Sequence, residues 1–297
     1  MIMRNTIIGI GEALWDVLPE GKKIGGALAN FAYIVSQFGL RSVAVSALGN
    51  DVLGKELQAN LDEKKLEYIL PVVPFPTGTV QVSLNAEGIP VYEIKENVAW
   101  DNIPFTEEFE RLAQSVRAVC FGSLAQRNGV SHDTINRFLD AIPDEEGIYK
   151  IFDINLRQHF YTPELLNKSM MKCNILKIND EELEVIKKLF GYSDTDAEAT
   201  CRKLQETYGL KILILTCGTN GSYVFAEGHP SFIPTPKVEV ADTVGAGDSF
   251  TAAFVAALLN GTSVAQAHKL AVAVSAYVCT QHGAMPVLPN HLRSMDV

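Results

Sequence analysis

The feature that most constrains the fold is an alternation of short apolar, β-rich runs with amphipathic helical segments along most of the 297 residues. The run TIIGIGEA at 6–13 predicts a buried strand. The segment at 25–39 predicts a helix whose apolar side chains share one face: Phe31, Ile34, Val35 and Phe38. Further strands are predicted at 42–48, 118–124, 148–156, 174–180 and 211–218, with helices between most of them. This alternation predicts an α/β fold, with a doubly wound, mostly parallel sheet covered by helices on both faces.

One segment, residues 77–97, departs from this alternation. Apolar residues occupy every second position before NAEG at 85–88, and a second extended run follows, which predicts a β-hairpin with one apolar face. That face needs a surface to cover, and the segment at 15–26 also has an extended pattern. We therefore expect a small β lid, contributed by residues 12–24 and 77–98, on a single α/β domain spanning 1–297. The apolar face of the lid also suggests a homodimer formed through it.

The composition argues against several partners. The net charge is −10, from 25 basic and 35 acidic residues, so no basic surplus is available to neutralise nucleic-acid phosphates or an anionic membrane. No apolar run reaches the ~20 residues that span a bilayer, and the first residues lack the apolar core of a signal peptide. We expect a soluble, cytoplasmic protein. The five cysteines are widely spaced without a C-x-x-C pair, which predicts buried free thiols.

The sequence DTVGAGDSF at 242–250 joins small residues to two carboxylates. Gly245, Ala246 and Gly247 lead into a helix, where the backbone can approach a ligand closely and the first N–H groups lack helical acceptors. Such donors at the positive end of a helix predict an anion-binding site. A carboxylate at Asp248 beside that site suits deprotonation of a hydroxyl while a phosphoryl group is held. The alternative is a glycine-rich turn in which Asp248 caps its own helix.

DTVGAGDSF resembles the C-terminal signature of the ribokinase/PfkB-type sugar kinases, and GGALANFA at 25–32 resembles their N-terminal signature. The resemblance extends from Gly9 to about Pro289. It implies a ribokinase-like fold and an enzyme that transfers the γ-phosphoryl group of ATP to a sugar hydroxyl with Mg²⁺. Fructose, converted to fructose 6-phosphate, is the favoured acceptor, with 2-keto-3-deoxygluconate kinase and ribokinase as alternatives. The non-enzymatic alternative is a sugar-binding regulatory module, which could lose Asp248 or the adjacent glycines.

The resemblance also implies roles for individual residues. Asp248 would be the catalytic base, and the N–H donors to the transferred phosphoryl group would come from Gly245, Ala246, Gly247 and Asp248 itself. Sugar binding would involve six residues: Asp16, Gly26, Asn30, Asp153, Asn155 and Arg157. Asn30 can both donate and accept hydrogen bonds toward a polyol. The alternatives are that Gly26 and Asn30 only form the start of a helix, and that Arg157 pairs with a surface carboxylate.

For the nucleotide, the resemblance implies that NDEE at 179–182 orders Mg²⁺ and phosphates through water. Asn179 followed by Glu182 is also an ordinary capping box, and both interpretations can hold together. The implied nucleotide-binding residues are Asn179, Glu182, Thr216, Gly218, Gly221 and Cys279. The Asn-Gly pair at 220–221 could equally be a hairpin turn. A monovalent cation, K⁺, is implied beside the anion hole, with Asp242 and the carbonyls of Val244, Val278, Gln281 and Gly283 as ligands.

Motifs of other enzyme classes are missing from the sequence. It contains no G-x-x-x-x-G-K-[ST] phosphate loop, and GIGEAL at 9–14 has Leu14 where a dinucleotide-binding fingerprint needs its third glycine. No G-x-S-x-G elbow surrounds Ser123. Two positions depart from the pattern of the fructokinase-like members, Leu28 in place of a common Pro and Tyr161 in place of a common Trp. Both concern the sugar side, so the identity of the sugar is the open question.

Overall fold

The computed structural model describes residues 4–18, 21–84, 90–228 and 230–295. The strands are β1 Thr6–Ile10, β2 Leu14–Leu18, β3 Gly21–Gly25, β4 Arg41–Val45, β5 Leu48–Gly49, β6 Glu67–Ile69, β7 Val72–Val73, β8 Gly78–Leu84, β9 Pro90–Ile94, β10 Val116–Gly122, β11 Tyr149–Asp153, β12 Ile175–Asn179, β13 Ile212–Thr216, β14 Ser222–Phe225 and β15 Ser231–Ile233. The α-helices are α1 Ala27–Ser36, α2 Val52–Glu63, α3 Glu107–Ala113, α4 Gly129–Ala141, α5 Pro163–Lys172, α6 Asp180–Phe190, α7 Ala197–Tyr208, α8 Ala246–Leu259, α9 Val264–Cys279 and α10 Asn290–Arg293.

Nine strands form the central sheet, in the order β15-β14-β13-β12-β11-β10-β1-β4-β6. The seven strands from β13 to β6 in that order pair in parallel, and β14 and β15 continue the sheet antiparallel at one edge. The predicted α/β fold with a mostly parallel sheet is confirmed. Because parallel strands all end at one edge of the sheet, the loops that follow them converge there.

The sheet separates two apolar layers, because alternate side chains of each strand point to opposite faces. In β1, Ile7 packs into the layer that contains α1, α8 and α9, whereas Ile8 packs into the layer that contains α3 to α7. Helix α1 lies very close to β1: a Cβ on Gly9 would lie 2.1 Å from the carbonyl oxygen of Leu28. Only glycine at this strand position lets α1, and the site residues on it, approach the sheet so closely.

All six strands predicted for the central sheet end earlier than the sequence pattern indicates, and two of these early ends shape the cleft. The predicted strand at 6–13 ends at Ile10, and the one at 148–156 ends at Asp153. The reason is local backbone conformation, since Gly11 and Asn155 have φ values of 156° and 42°. These turns take residues 11–13 and 154–157 out of the sheet and towards the cleft at its carboxyl edge.

A second sheet contains four strands in the order β3-β2-β8-β9. β2 pairs antiparallel with β3 and parallel with β8, and β8 pairs antiparallel with β9. These strands come from the two segments that the sequence pattern assigns to the lid. The predicted turn at 85–88 lies outside the described residues. Whether this sheet closes over a substrate or forms a dimer contact stays a prediction.

Two further expectations can be compared with the structure. In the part of the chain that the structure describes, no helix has the length and apolar character needed to cross a membrane. All five cysteines are free thiols, as expected, but only Cys120, Cys173 and Cys201 are buried. The expectation of burial was wrong for Cys217 and Cys279, which are half-buried because they lie at the ends of β13 and α9, beside loops that are open to solvent.

Candidate active site

The predicted site residues surround a cleft at the carboxyl edge of the central sheet. The loops after β1, β11, β12 and β13 form one wall, the turn before α8 forms the opposite wall, and the four-stranded sheet covers one end. The cleft is lined by most of the residues that the sequence analysis singled out: Asp16, Gly26, Asn30, Asn155, Arg157, Asn179, Thr216, Gly218, Gly221, Asp242, Val244, Gly245, Ala246, Gly247, Asp248, Cys279 and Gly283. Asp153, Glu182, Val278 and Gln281 are not among its lining residues.

The turn before α8 has the geometry of an anion-binding site. Gly245 has a φ of 78°, and a Cβ there would lie 2.4 Å from the Cβ of Ala284, so this position requires glycine. The N–H groups of Gly247 and Asp248 have no hydrogen-bond acceptor among the described residues. The N–H of Ala246 was expected to be free for a phosphoryl group, but it donates to the carbonyl of Thr243 at 3.3 Å. Gly245 likewise has no acceptor for its N–H among the described residues, so the free donors are those of Gly245 and of the second and third helical residues.

Asp248 faces the cleft and does not cap its own helix. The N-cap of α8 is Gly245, without a side-chain hydrogen bond, and Oδ2 of Asp248 instead accepts a hydrogen bond of 2.7 Å from Nδ2 of Asn30. Burial raises the pKa of Asp248 to about 6, and the nearby Asp153 carboxylate adds to the rise, while Asn30, Lys177 and Arg157 oppose it. A carboxylate with such a pKa is ionised at neutral pH yet holds a proton more readily than an exposed Asp, as a general base needs.

Asp16 in β2 and Gly26 before α1 line the cleft near the four-stranded sheet, and sugar binding by them stays a prediction. Burial and the charge of Asp242 raise the pKa of Asp16 to about 6, and Arg157 and Lys23 oppose the rise. Gly26 has a φ of 107°, and a Cβ there would lie 2.3 Å from the carbonyl oxygen of Glu12. The glycine is therefore required by the neighbouring backbone, whether or not it also leaves room for a sugar.

The structure separates the three polar residues of the segment after β11. Asp153 is buried, and its two oxygens are occupied: Oδ1 lies 3.1 Å from Nζ of Lys177, and Oδ2 accepts from Thr251 at 3.0 Å. The sugar contact expected for Asp153 is therefore not supported, because its carboxylate is already paired beneath the cleft. Asn155 and Arg157 do line the cleft, and the exposed Arg157 guanidinium lowers the pKa of Asp16 and Asp248.

Asn179 and Glu182 form a complete capping box at the start of α6. Oδ1 of Asn179 accepts from the N–H of Glu182 at 2.7 Å, and Oε2 of Glu182 accepts from the N–H of Asn179 at 2.9 Å. Oε1 of Glu182 also accepts from the N–H of Leu156 at 2.8 Å, which ties α6 to the loop after β11. The capping interpretation therefore holds. A role in ordering Mg²⁺ through water stays a prediction.

The donor set suits a magnesium ion held mainly by phosphates and water. Within the described ranges, no group of three or more His, Cys, Asp or Glu side chains could hold a metal ion. Mg²⁺ commonly binds through one or two carboxylates and substrate phosphates rather than in a site made only of protein. Asn179 lines the cleft, so it can order a water on such an ion, while Glu182 supports Asn179 from behind.

The residues assigned to the nucleotide lie at the opposite end of the cleft. Thr216, Gly218 and Gly221 belong to the β13–β14 connection, and the antiparallel pairing of Thr216 with Ser222 confirms a hairpin there. Gly221 has a φ of 114°, and a Cβ there would lie 2.6 Å from the carbonyl oxygen of Ile233. Cys279, at the end of α9, lines the same end. Nucleotide binding here stays a prediction.

Two buried charged residues that line the cleft were missed in the sequence analysis. Glu12 lines the cleft and is 3% exposed, its Oε2 atom has no hydrogen-bond partner among the described residues, and burial raises its pKa to about 7. Lys177 lies in β12 and is 6% exposed; burial would lower its pKa, but the carboxylates of Asp153 and Glu182 raise it. The sequence did contain a signal for both residues, namely a charged residue inside or just after an apolar strand. Burying a charge is costly unless it is paired, so a charge at such a position indicates a buried partner or a functional site.

Comparisons with known proteins agree with this architecture. A family model described as pfkB family carbohydrate kinase matches residues 19–291. The chain is 27% identical over 305 residues to the ATP-dependent 6-phosphofructokinase of Thermoanaerobacterium thermosaccharolyticum, a match that covers 97% of this chain and 92% of that protein. It is 26% identical over 323 residues to probable fructokinase-2 of Arabidopsis thaliana, covering 99% and 95%.

The fold is shared with a solved fructokinase. The structure matches that of a fructokinase double mutant from Vibrio cholerae O395, described with fructose, ADP and a potassium ion bound, with a TM-score of 0.81 at 22% identity over 99% of both chains. At this identity the likeness establishes the ribokinase-like fold. Because the family model covers most of the chain, the protein belongs to the pfkB family of carbohydrate kinases and is an enzyme of that class.

Proposed function

We propose that this protein is an ATP-dependent fructokinase that forms fructose 6-phosphate, with Asp248 as its catalytic base. The observation that carries the proposal is the convergence of a cleft-facing carboxylate with free N–H groups at the start of α8. Fructose is the favoured acceptor because a relative covering nearly the whole chain is named a probable fructokinase and a structural relative is described with fructose bound.

In this mechanism the side chains of the chain itself position the reacting hydroxyl. Asn30 engages Oδ2 of Asp248, which leaves Oδ1 to take the proton from the sugar hydroxyl as it attacks the γ-phosphorus in line, while the bond from that phosphorus to the bridging oxygen breaks and ADP leaves. The free N–H groups of Gly247 and Asp248 donate to the γ-phosphoryl oxygens, where negative charge is redistributed in the transition state. A bound Mg²⁺ would neutralise further phosphate charge, with Asn179 ordering its water. Asp16 and Arg157 offer an acceptor and a donor to the other sugar hydroxyls.

The four-stranded sheet fits the role of a lid in this reaction. It supplies Asp16 on β2 and Lys23 on β3 to the cleft, and Val80 and Ile94 add an apolar surface above them. Closure over the sugar would exclude water, which otherwise competes with the sugar hydroxyl for the γ-phosphoryl group. The lid therefore links sugar binding to the choice between phosphorylation and hydrolysis.

A coupled assay of ADP release tests the proposal. The sugars are fructose, fructose 6-phosphate, 2-keto-3-deoxygluconate, ribose and a nucleoside; fructose 6-phosphate is included because a relative is named a 6-phosphofructokinase. We expect the highest kcat/KM with fructose. A higher kcat/KM with another acceptor, by ~10-fold or more, would replace fructose but keep the sugar kinase; such a ratio corresponds to about 1.4 kcal/mol of transition-state binding.

The role of Asp248 is tested separately with the best acceptor. Asp248→Asn should lower kcat by at least ~10²-fold, because general-base catalysis typically contributes ~10²–10⁴-fold, while ATP still protects the protein from thermal unfolding. Asp62→Asn, at an exposed carboxylate on α2 that accepts from Tyr68, is the control and should retain its rate. Turnover within a few-fold of wild type in the Asp248 variant would remove this residue as the base.

A further inference from the structure

The carboxylate of Asp242 holds together the two loops beside the phosphate-binding turn. Oδ1 accepts from the N–H of Val244 at 3.1 Å, within the turn that leads into α8, and Oδ2 accepts from the N–H of Gly283 at 3.2 Å, in the loop after α9. Both oxygens accept from N–H groups, as expected of an ionised carboxylate. A fixed negative charge next to a site for phosphate needs a compensating positive charge.

Lys23 provides a positive charge at this position. It lies in β3 of the four-stranded sheet, and its Nζ is 3.6 Å from Oδ2 of Asp242. The stem of the side chain crosses the loop after α9, where its Cδ lies 3.7 Å from the place that a Cβ on Gly283 would occupy. The lysine therefore reaches from the lid to both loops that Asp242 joins.

A monovalent cation and this lysine would compete for the same carboxylate. The cation site implied by the resemblance uses Asp242 and four backbone carbonyls, so Asp242 is its one charged ligand, and that carboxylate is the group that Lys23 approaches. With both Asp242 oxygens engaged by N–H groups and an ammonium within 4 Å, a second cation would meet a like charge at close range. The residues present do not fit a bound potassium ion while Lys23 occupies this position.

We propose that the Lys23 ammonium supplies, from within the chain, the positive charge beside Asp242 at the place where the resemblance implies a potassium ion, so that this enzyme does not depend on a monovalent cation. The structural relative from Vibrio cholerae is described with a potassium ion bound, which makes the comparison direct. The inference rests on the proposed kinase function. Because Lys23 lies on β3 of the lid, its positive charge reaches the turn before α8 only when β3 is in place. The position of the lid is thereby coupled to phosphoryl transfer.

The chain contains a matched control for this lysine. Lys22 is the neighbouring residue of the same strand, and its side chain pairs with Glu56 on α2 instead of Asp242. Successive side chains of a strand point to opposite faces, so the two lysines share backbone context but differ in their partners. Lys22→Met thus removes an equal charge from the lid without touching the Asp242 loops.

The experiment compares wild type, Lys23→Met, Lys23→Arg and Lys22→Met in potassium chloride and in choline chloride at equal ionic strength. Equal ionic strength keeps screening constant, and choline is too large to enter a carbonyl-lined site. Two readouts are taken, the melting temperature without substrates and the sugar-dependent ADP release. The melting temperature gives an answer even if no tested sugar is phosphorylated, so failure of this inference is separable from failure of the proposed function.

In wild type, Lys22→Met and Lys23→Arg, we expect potassium to change the rate by less than about 2-fold and to leave the melting temperature unchanged relative to choline. In Lys23→Met, we expect a lower rate in choline, several-fold recovery in potassium, and a rise in melting temperature of about 2 °C or more, because the ion now binds the folded state. Potassium activation of the wild type by ~10-fold or more, or a Lys23→Met variant that ignores potassium in both readouts, would overturn the inference.

Discussion

Loss of the Asn30 amide should move the acid limb of the pH–rate profile to higher pH. Nδ2 of Asn30 donates a 2.7 Å hydrogen bond to Oδ2 of Asp248 and is one of the influences that hold the pKa of Asp248 down against burial. Asn30→Leu removes that donor at similar side-chain volume. Because the donor favours the ionised carboxylate, its removal raises the pKa of Asp248. The base form that accepts the proton is then reached only at higher pH.

The size of the shift follows from the strength of the lost interaction. A hydrogen bond to a charged group contributes about 1.5–3 kcal/mol, which corresponds to about 1–2 pKa units. Starting from the value of about 6 for Asp248, the limb should move to roughly pH 7–8 in the variant. Oδ1 of Asn30 is buried and has no hydrogen-bond partner among the described residues. Removing this oxygen in Asn30→Leu therefore deprives no described protein donor of its acceptor.

The assay is kcat/KM for the sugar between pH 5 and pH 9 (a range of about two units on either side of neutrality), since kcat/KM reports the base in the free enzyme, the state to which the pKa of about 6 belongs. Ser36→Ala is the control, because the Ser36 hydroxyl lies on the same helix and bonds the Tyr33 carbonyl, away from Asp248. Glu12→Gln is measured as well, because burial raises the pKa of Glu12 to about 7 and its titration could produce a limb of its own. An unmoved limb in Asn30→Leu, in a folded variant, would refute the assignment of Asp248 as the group that the limb reports.

Three further predictions concern stability and the lid. Lys177→Met should lower the free energy of unfolding in urea by about 3–5 kcal/mol, because it leaves the buried Asp153 carboxylate unpaired; a loss below about 1 kcal/mol would contradict that account. His268 is buried between the hydroxyls of Ser222 and Ser231, and burial lowers its pKa to about 4, below its unfolded value of 6.5. The unfolded state therefore binds a proton that the folded state does not. As the pH falls from 6.5 to 4, the free energy of unfolding of the wild type should fall by about 3 kcal/mol more than that of His268→Gln, measured by urea unfolding at each pH. Parallel pH profiles of the two proteins would contradict this prediction. Replacing residues 82–92 by two glycines should raise the ratio of ATP hydrolysis to sugar phosphorylation, and an unchanged ratio would count against a lid that excludes water.

The sequence by itself determined the class of fold and the location of the turn before α8 that we propose binds phosphate. Both depend on short-range patterns: the alternation of strands and helices fixes a covered parallel sheet, and small residues followed by an Asp at a helix start fix free N–H groups beside a carboxylate. Gly245 illustrates the point, since its φ of 78° and its contact with Ala284 require the residue that the motif contains. The order of the motifs along the chain was likewise sufficient to indicate the family.

The tertiary structure alone decided which charged groups are free to act. Asn30 and Asp248 are 218 residues apart, and Lys177 and Asp153 are 24 apart on neighbouring strands, so no local pattern predicts either pairing. The same holds for Lys23, which reaches Asp242 only because the lid strand crosses the cleft. A carboxylate in isolation can bind a sugar, take a proton or hold a lysine. Its partners and its burial, which only the folded chain brings together, select among these roles.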